Sequence, residues 1–342
     1  MALHDEFSFI KDITPSSLHQ ADVLVGIGDD AAVYQVQEGQ QQILCMDTMV
    51  EDIHFKRSYS SAEEIGHKAL AVNISDVAAM GGIPKYYAVS IAIPAHWSPG
   101  ELTAIYQGMK QLGDTYQMDL LGGDTVSTQG KLVITVTVTG ETQRPDNCLR
   151  SNAKEGDIVF VTGYVGDSAA GLHLLTENPD NLSATSQYLF QRHKMPVPQV
   201  EAGTIISASG RASLNDISDG LASELNEIAE ASNVTIMIDE TMLPISKEAF
   251  EADNRQALTW ALYGGEDFEL VGTASPETFA VIEKECKKAG ILITRIGEAH
   301  QGEAKVFLED LHSEVRLLAK GGYNHFQKAG GINGVESENG KS

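Results

Sequence analysis

Basic residues are what this chain is short of: 24 Lys and Arg stand against 48 Asp and Glu, a formal charge of −24 at pH 7. That balance argues against nucleic acid or an anionic membrane as the main partner. It also sets a condition on any phosphate ligand, which a −24 protein repels at long range. A phosphate site here must be made locally positive by bound metal, helix N-termini or a few placed cations. Cysteine is scarce as well. Cys45, Cys148 and Cys286 have no short spacing, which excludes a zinc motif or disulfide framework and fits a reducing compartment. The first residues, Met1-Ala2-Leu3-His4-Asp5-Glu6-Phe7, lack the charged-then-apolar plan of a signal peptide, and no uninterrupted apolar run approaches ~18 residues. A cytoplasmic protein is expected. Several phosphate-handling signatures are absent. Gly340-Lys341-Ser342 has Val335 where a P-loop needs its first glycine. There is no His-Arg-Asp or Asp-Phe-Gly kinase signature and no Gly-x-Ser-x-Gly nucleophile elbow.

What the chain does have is aspartate placed in loops and beside glycine. Asp29-Asp30 sits inside Gly26-Ile27-Gly28-Asp29-Asp30-Ala31-Ala32-Val33. Then come Met46-Asp47-Thr48, Asn73-Ile74-Ser75-Asp76, Gly122-Gly123-Asp124-Thr125 and Asp216-Ile217-Ser218-Asp219-Gly220. Aspartate oxygens suit hard divalent cations, and glycine turns let backbone approach a phosphate. The pattern points to Mg²⁺ gathered around a phosphorylated ligand.

With 342 residues, 42% hydrophobic and 21% charged, the composition is globular and two domains are expected, 1–150 and 151–328. In the first half the periodicities predict a short helix and a Pro15-Ser16-Ser17 break within 1–20, strands at 43–46, 86–93, 118–121 and 132–139, and helices over 61–80 and from Ser98-Pro99. In the second half strands fall at Ile158–Thr162, 213–217, 234–238, 268–273 and 304–308. Helices are read at 166–172, 185–193, 198–209 and 219–232. Helix and strand alternate throughout, so the fold class is α/β (α+β). The tail 329–342 is Gly-, Asn-, Glu- and Ser-rich and is expected to be disordered.

Each candidate site residue has a bland reading beside the chemical one. Asp76 falls on the stripe of Ile65, Ala69 and Val72, facing the core, where a carboxylate needs a partner. That partner is either Lys68, a backbone amide, or a metal shared with Asp30, Asp47 and Asp124. Gly122-Gly123-Asp124-Thr125 reads as a turn after a strand or as a phosphate and metal loop. Ser218 or Asp219 caps the helix that follows, yet Asp216 is not needed for capping, and three oxygens before a helix also suit a metal–phosphate site. Gly264-Gly265-Glu266-Asp267 is a turn into a strand or an acidic substrate contact. His54 is a structural histidine or a ligand contact. Arg150 is a surface ion pair or a phosphate contact.

Taken in order, Gly26-Ile27-Gly28-Asp29-Asp30-Ala31-Ala32, Asp47-Thr48-Met49-Val50-Glu51 with His54-Phe55, the run from Lys68 to Gly81, Gly122–Thr125, Thr162-Gly163 with Gly166–Gly171, Asp216–Leu221 and Gly264–Asp267 closely resemble the thiamine-monophosphate kinase family. That family is grouped with aminoimidazole ribonucleotide synthetase and selenophosphate synthetase in one ATP-binding superfamily. The resemblance runs from about Phe7 to Phe326. It implies transfer of the ATP γ-phosphoryl group to thiamine monophosphate, a two-domain aminoimidazole ribonucleotide synthetase-like fold, and an N-terminal sheet that pairs across a homodimer. It implies Mg²⁺ ligands at Asp30, Asp47, Asp76, Asp124 and Asp216, with Asp219 serving another metal. ATP contacts fall at Gly123, Asp124, Arg150 and Ser218, and substrate contacts at His54 and Glu266. Tyr323 is the candidate for stacking on the thiamine rings. Two departures stand out. Cys45-Met46 occupies the place where the family commonly carries Ser/Thr-Thr, and the C-terminal stretch reads Lys320-Gly321-Gly322-Tyr323-Asn324-His325-Phe326.

Two rival readings remain from the sequence. A selenophosphate synthetase needs a reactive N-terminal cysteine, whereas the first cysteine here is Cys45, inside a strand. A non-catalytic acidic protein that binds metal or nucleotide would share the aspartates but make no ADP.

Overall fold

The computed structural model describes residues 6–28, 30–144, 146, 148–177, 179–180 and 182–322. Asp29, Pro145, Asn147, Tyr323 and the 329–342 tail lie outside the described residues. The first half contains α1 (Glu6–Ile13), β1 (Val23–Val25), β2 (Val33–Tyr34), β3 (Gln41–Val50), α2 (Ala62–Ala79), β4 (Ile83–Pro94), α3 (Pro99–Tyr116), β5 (Asp119–Thr128) and β6 (Val133–Thr142). The second contains β7 (Ile158–Thr162), α4 (Asp167–Glu177), α5 (Ala184–Lys194), α6 (Val200–Ser209), β8 (Ala212–Asp216), α7 (Leu221–Ser232) and β9 (Thr235–Asp239). It closes with α8 (Lys247–Asp253), α9 (Ala257–Tyr263), β10 (Leu270–Ala274), α10 (Pro276–Ala289), β11 (Ile293–His300), β12 (Lys305–Glu309) and β13 (Val315–Leu317).

Two sheets organise the chain. The first has the order β3-β6-β4-β5, with β4 and β5 parallel and the other neighbours antiparallel. The second has the order β13-β12-β9-β11-β7-β10-β8, in which only β12 and β9 run parallel. In β6 the alternation is clear: Ile134, Val136 and Val138 are fully buried, while the residues between them are half-buried. One face of the first sheet is therefore covered and the other open.

Helix α2 covers it. Ser61 and Glu64 form a complete capping box at its start, which satisfies amide donors the helix leaves unpaired. Most of its side chains are buried, including Ile65, Leu70, Ile74 and Val77, because it packs against the first sheet, α3, α6 and the β8 edge of the second sheet. Its crossing with α3 is close. A Cβ on Gly66 would stand 1.8 Å from the Ile105 carbonyl oxygen, and one on Gly108 would stand 2.0 Å from that of Glu63. A single core cluster joins Ile74, Val77, Val136 and Val138 to Phe160, Ile206, Leu214 and Phe279 of the second half. The two halves are thus packed on one another through α2.

Three local expectations change. Gly122–Thr125 lies within β5 and is not a turn after it, because β4 continues to pair alongside in parallel after an irregularity at Tyr87/Ala88. Strand β3 extends well beyond 43–46 to include Asp47, held by full-length pairing with β6. The residue capping α7 is Gly220, at φ 130°, with no side-chain cap bond, so Ser218 and Asp219 are not consumed in capping.

Candidate active site

A cavity of about 550 Å³ opens between the halves, and among the residues lining it are Asp47, His54, Ser218, Asp219, His193 and Glu266. Its remaining wall is largely apolar, with Met49, Ile53, Val72, Leu172 and Phe268. Such a mixture suits a ligand with an aromatic body and a charged end.

Three residues of the Asn73-Ile74-Ser75-Asp76 stretch build the acidic end. The Asn73 side-chain oxygen accepts from the Asp47 backbone N–H at 2.9 Å, while its amide donates to the Ala69 carbonyl at 3.1 Å. Ser75 Oγ donates to Asp216 Oδ2 at 2.8 Å, and both residues are buried. Asp76 supplies the third carboxylate. Burial, then the Asp216 and Asp47 charges, push the Asp76 carboxyl well above the usual range. Burial pushes Asp216 up too, with Asp47 adding to it and Ser75 opposing. At Asp47, desolvation at the cleft wall and then the Asp219 charge act in the same direction. Four expected carboxylates therefore feel one another. A half-buried group of like charges is held together only at a cost, and an opposite charge placed among them relieves it.

The donor set of Asp47, Asp76, Asp216 and Asp219 is all oxygen, as Mg²⁺ requires. In this arrangement, among the described residues, no three Asp, Glu, His or Cys groups close into a finished metal cage. Cys45 turns its thiol toward the same place: Sγ donates to the Asn73 carbonyl at 3.2 Å and also faces Asp76. Burial, then Asp76 and Asp47, push that thiol up, so it stands there protonated. Met46 points away and is 63% exposed.

The substrate end is built by two loops. Glu51 is buried and accepts from Trp97 Nε1 at 3.1 Å and the Leu132 N–H at 3.0 Å, which anchors the turn carrying His54. His54 Nδ1 accepts from the Val50 N–H at 3.0 Å, so the neutral ring carries its proton on Nε2. Glu266 sits in the left-handed region at φ 65°, with its N–H donating to the Ser218 carbonyl at 2.7 Å. Lys68 Nζ lies 2.9 Å from Glu266 Oε1, and His193 Nδ1 lies 3.6 Å from Oε2. Burial pushes Glu266 up, but Lys68 beside it prevails and holds the carboxyl below the usual range. Lys68 is thus the partner of Glu266, not of Asp76.

Arg150 is bound to the Asn215 side-chain oxygen at 3.0 and 2.8 Å and pairs with Glu227 at 3.2 Å. Its charge reaches Asp76 and Asp216, so it borders the acidic end. The structure therefore lines one cavity with Asp47, His54, Ser218, Asp219 and Glu266, and sets Asp76, Asp216 and Arg150 close enough for their charges to act on one another. Asp30, Gly123 and Asp124 are not among the residues that line the cavity. Asp30 is exposed in its loop. Gly123 shares a cross-sheet row with Val89, Val136 and Asp47, but three strand spacings of about 4.8 Å put it roughly 14 Å from Asp47. Asp124 shares the next row, with Ser90, Thr135 and Thr48. That row faces away from the helices, where the Thr48 and Thr135 hydroxyls bond at 2.8 Å. Sequence reading missed Asn73, Ser75 and His193; a run of small polar residues beside Asp76 was the available sign for the first two.

Comparison with known proteins gives the family. Family models for AIR synthase related protein match residues 28–142 (N-terminal domain) and 154–309 (C-terminal domain). A thiamine-monophosphate kinase of Bacillus subtilis (strain 168) is 55% identical over 326 residues, 94% of this chain and 100% of the relative. The chain belongs to the thiamine-monophosphate kinase family. A crystal structure of the thiamine-monophosphate kinase from Stenotrophomonas maltophilia K279a superposes with TM-score 0.82 at 34% identity, covering 90% of this chain and 98% of that one. A solved structure described as AaThiL complexed with AMPPCP and TMP superposes with TM-score 0.72 at 32% identity, covering 85% and 91%. No helix among the described residues is long and apolar enough to cross a membrane.

Proposed function

We propose that the chain transfers the γ-phosphoryl group of ATP in line to thiamine monophosphate, giving thiamine diphosphate, with Mg²⁺ held by its cleft aspartates. The observation that carries this reading is the make-up of one cavity, which His54 and Glu266 line together with Asp47 and Asp219.

The acceptor is a phosphate oxygen, already ionised near neutral pH, so no strong general base is required. The barrier is the meeting of two polyanions. Like charges ~4 Å apart repel by about 4 kcal/mol at an effective dielectric of 20. Asp47, Asp76, Asp216 and Asp219 are the residues that would hold Mg²⁺, which supplies charge neutralisation between the phosphates. Ser75 and Asn73 keep that acidic end in place, Arg150 adds a cation at its border, and Ser218 offers a hydroxyl to ATP. His54 presents Nε2–H and Glu266 an acceptor to the substrate head, while Met49, Ile53, Leu172 and Phe268 exclude water from the ring.

We infer that the open face of the first sheet pairs with a second copy. Leu44 and Met46 on that face are 71% and 63% exposed, with Val126 at 46% on β5. Asp124 lies on the same face, so its proposed metal and ATP contacts, with those of Gly123, are made across this pairing. Domain boundaries near residue 150 and a cytoplasmic setting belong to the same reading. Asp30 stays a proposed ligand, to be drawn in by its loop once ligands bind.

The test is ADP release with thiamine monophosphate, thiamine or pyridoxine phosphate as acceptor, with and without Mg²⁺. Release that needs both thiamine monophosphate and Mg²⁺ supports the proposal; equal release without an acceptor overturns it.

A further inference from the structure

Helix α2 presents Lys68, Val72 and Asp76 at four-residue spacing, one stripe along the cleft. Val72 lines the cavity and Asp76 joins the acidic end. Lys68 has no place in the chemistry so far, yet its side chain is only 4% exposed. Burying a lysine is costly unless it is paired, and the partner shown is Glu266, on the other half of the chain. Among the described residues Lys68 Nζ makes no well-aligned hydrogen bond besides this ionic contact.

Glu266 needs such a partner. Its backbone is held at φ 65° and by the Ser218 carbonyl, but these set only the direction in which the side chain leaves the loop. The groups that face its carboxylate are Lys68, His193, His54 and the Tyr59 hydroxyl. His193 is 2% exposed and is pushed down to about 3 by burial and by Lys68, so its ring is neutral. Its Nδ1 also lies 3.0 Å from Ser168 Oγ. Lys68 is therefore the full positive charge fixed against Glu266. The same side of α2 is tied to the second half by Lys194 with Glu64 at 3.0 Å and by His67 with the Pro196 carbonyl at 2.9 Å, which leaves Lys68 little freedom to withdraw.

We propose that Lys68 is a positioning residue for substrate recognition: paired with Glu266 across the two halves, it fixes that carboxylate as the acceptor for the heteroaromatic head of thiamine monophosphate without touching the substrate itself. The inference rests on the function proposed above. Lys68 thereby sets affinity for the thiamine side, while the acidic end, two helical turns along α2, sets affinity for metal and ATP.

The test is steady-state kinetics on the full-length chain for wild type, Lys68→Met, Glu266→Gln and the double variant, reading kcat and the KM of each substrate separately. Wild-type ADP release that depends on thiamine monophosphate establishes the underlying function first; failure there overturns that reading and not the Lys68 argument alone. Lys68→Met is expected to raise KM for thiamine monophosphate by about tenfold or more, the loss of a charge-assisted contact, with KM for ATP unchanged. The double variant is expected to match Glu266→Gln alone, since Lys68 acts only through that carboxylate. Should Lys68→Met fail to fold, the double variant leaves no unpaired buried charge and its comparison with Glu266→Gln decides. An unchanged KM for thiamine monophosphate, equal rises in both KM values, or losses that multiply in the double variant would overturn the proposal.

Discussion

Replacing Asp76 by Asn separates electrostatic strain from metal binding. Asp76 faces Asp216 and Asp47 from α2. At an effective dielectric of 20, a like-charge neighbour costs about 4 kcal/mol at ~4 Å and about 2 kcal/mol at ~10 Å. Protonation, Arg150 and solvent relieve part of this, leaving about 1–3 kcal/mol of repulsion at pH 8 in metal-free protein. At about 1.4 °C per kcal/mol for a chain of 342 residues, metal-free Asp76→Asn should melt about 1–4 °C above wild type at pH 8. The sign follows from linkage. A carboxyl whose folded pKa is raised contributes stability fully present below its ordinary value of 3.8, and that stability is lost as pH rises through the raised value. At pH 5.5 the folded wild type carries the proton while the unfolded chain is still ionised, so the gap should narrow, and it closes only below 3.8, where both states are protonated. Added Mg²⁺ should reverse the order at pH 8. Wild type gains about 2.7 kcal/mol at a hundredfold excess over Kd, and the variant forfeits most of it. Differential scanning fluorimetry with chelator or Mg²⁺ at both pH values reads the four melting points of each protein. A variant that melts below wild type in chelator at pH 8, or that keeps the full Mg²⁺ gain, would refute the reasoning.

Other outcomes follow from the same geometry. Ser75→Ala removes the hydroxyl that orients Asp216; the Mg²⁺ concentration for half-maximal ADP release should rise by about tenfold or more, while the rate at saturating Mg²⁺ recovers. Gly66→Ala forces a Cβ into the Ile105 carbonyl and should cost about 2–3 kcal/mol or more in urea unfolding. If Asp124 acts across a paired sheet face, inactive Asp124→Asn and Asp47→Asn chains should regain part of wild-type activity when denatured and refolded together, and neither should when refolded alone.

Much of the architecture was legible because local signals agreed with packing. Ser61 with Glu64 and Ser98 with Glu101 announce α2 and α3, and both form complete capping boxes. Ile158–Thr162 is an apolar run buried on both faces, read with its observed ends. Strands β1 and β2 are too short to carry a period, and β13 is wholly exposed. The reading of Gly122–Thr125 as a turn failed for a physical reason. Glycine and aspartate favour turns locally, but pairing with β4 carries β5 straight through them, a tertiary effect that overrides propensity.

The candidate site was legible in its residue types and only partly in its geometry. Aspartates beside small residues pointed to Asp47, Asp76, Asp216 and Asp219, whose charges act on one another. The same rule also selected Asp124, and only strand order and pleat show that it lies at the opposite edge and on the other face. Lys68 was considered as a partner for Asp76 because both lie on one helix. Its actual partner, Glu266, is nearly two hundred positions away in sequence, where helical spacing carries no information.

The most direct test of the central claim is ADP release from ATP and thiamine monophosphate, titrated with Mg²⁺, in wild type and Asp47→Asn. The account predicts acceptor-dependent release by wild type that vanishes with chelator, and a variant that keeps its fold but turns over far more slowly and needs much more Mg²⁺. Asp47→Asn with wild-type rate and wild-type Mg²⁺ dependence would contradict it.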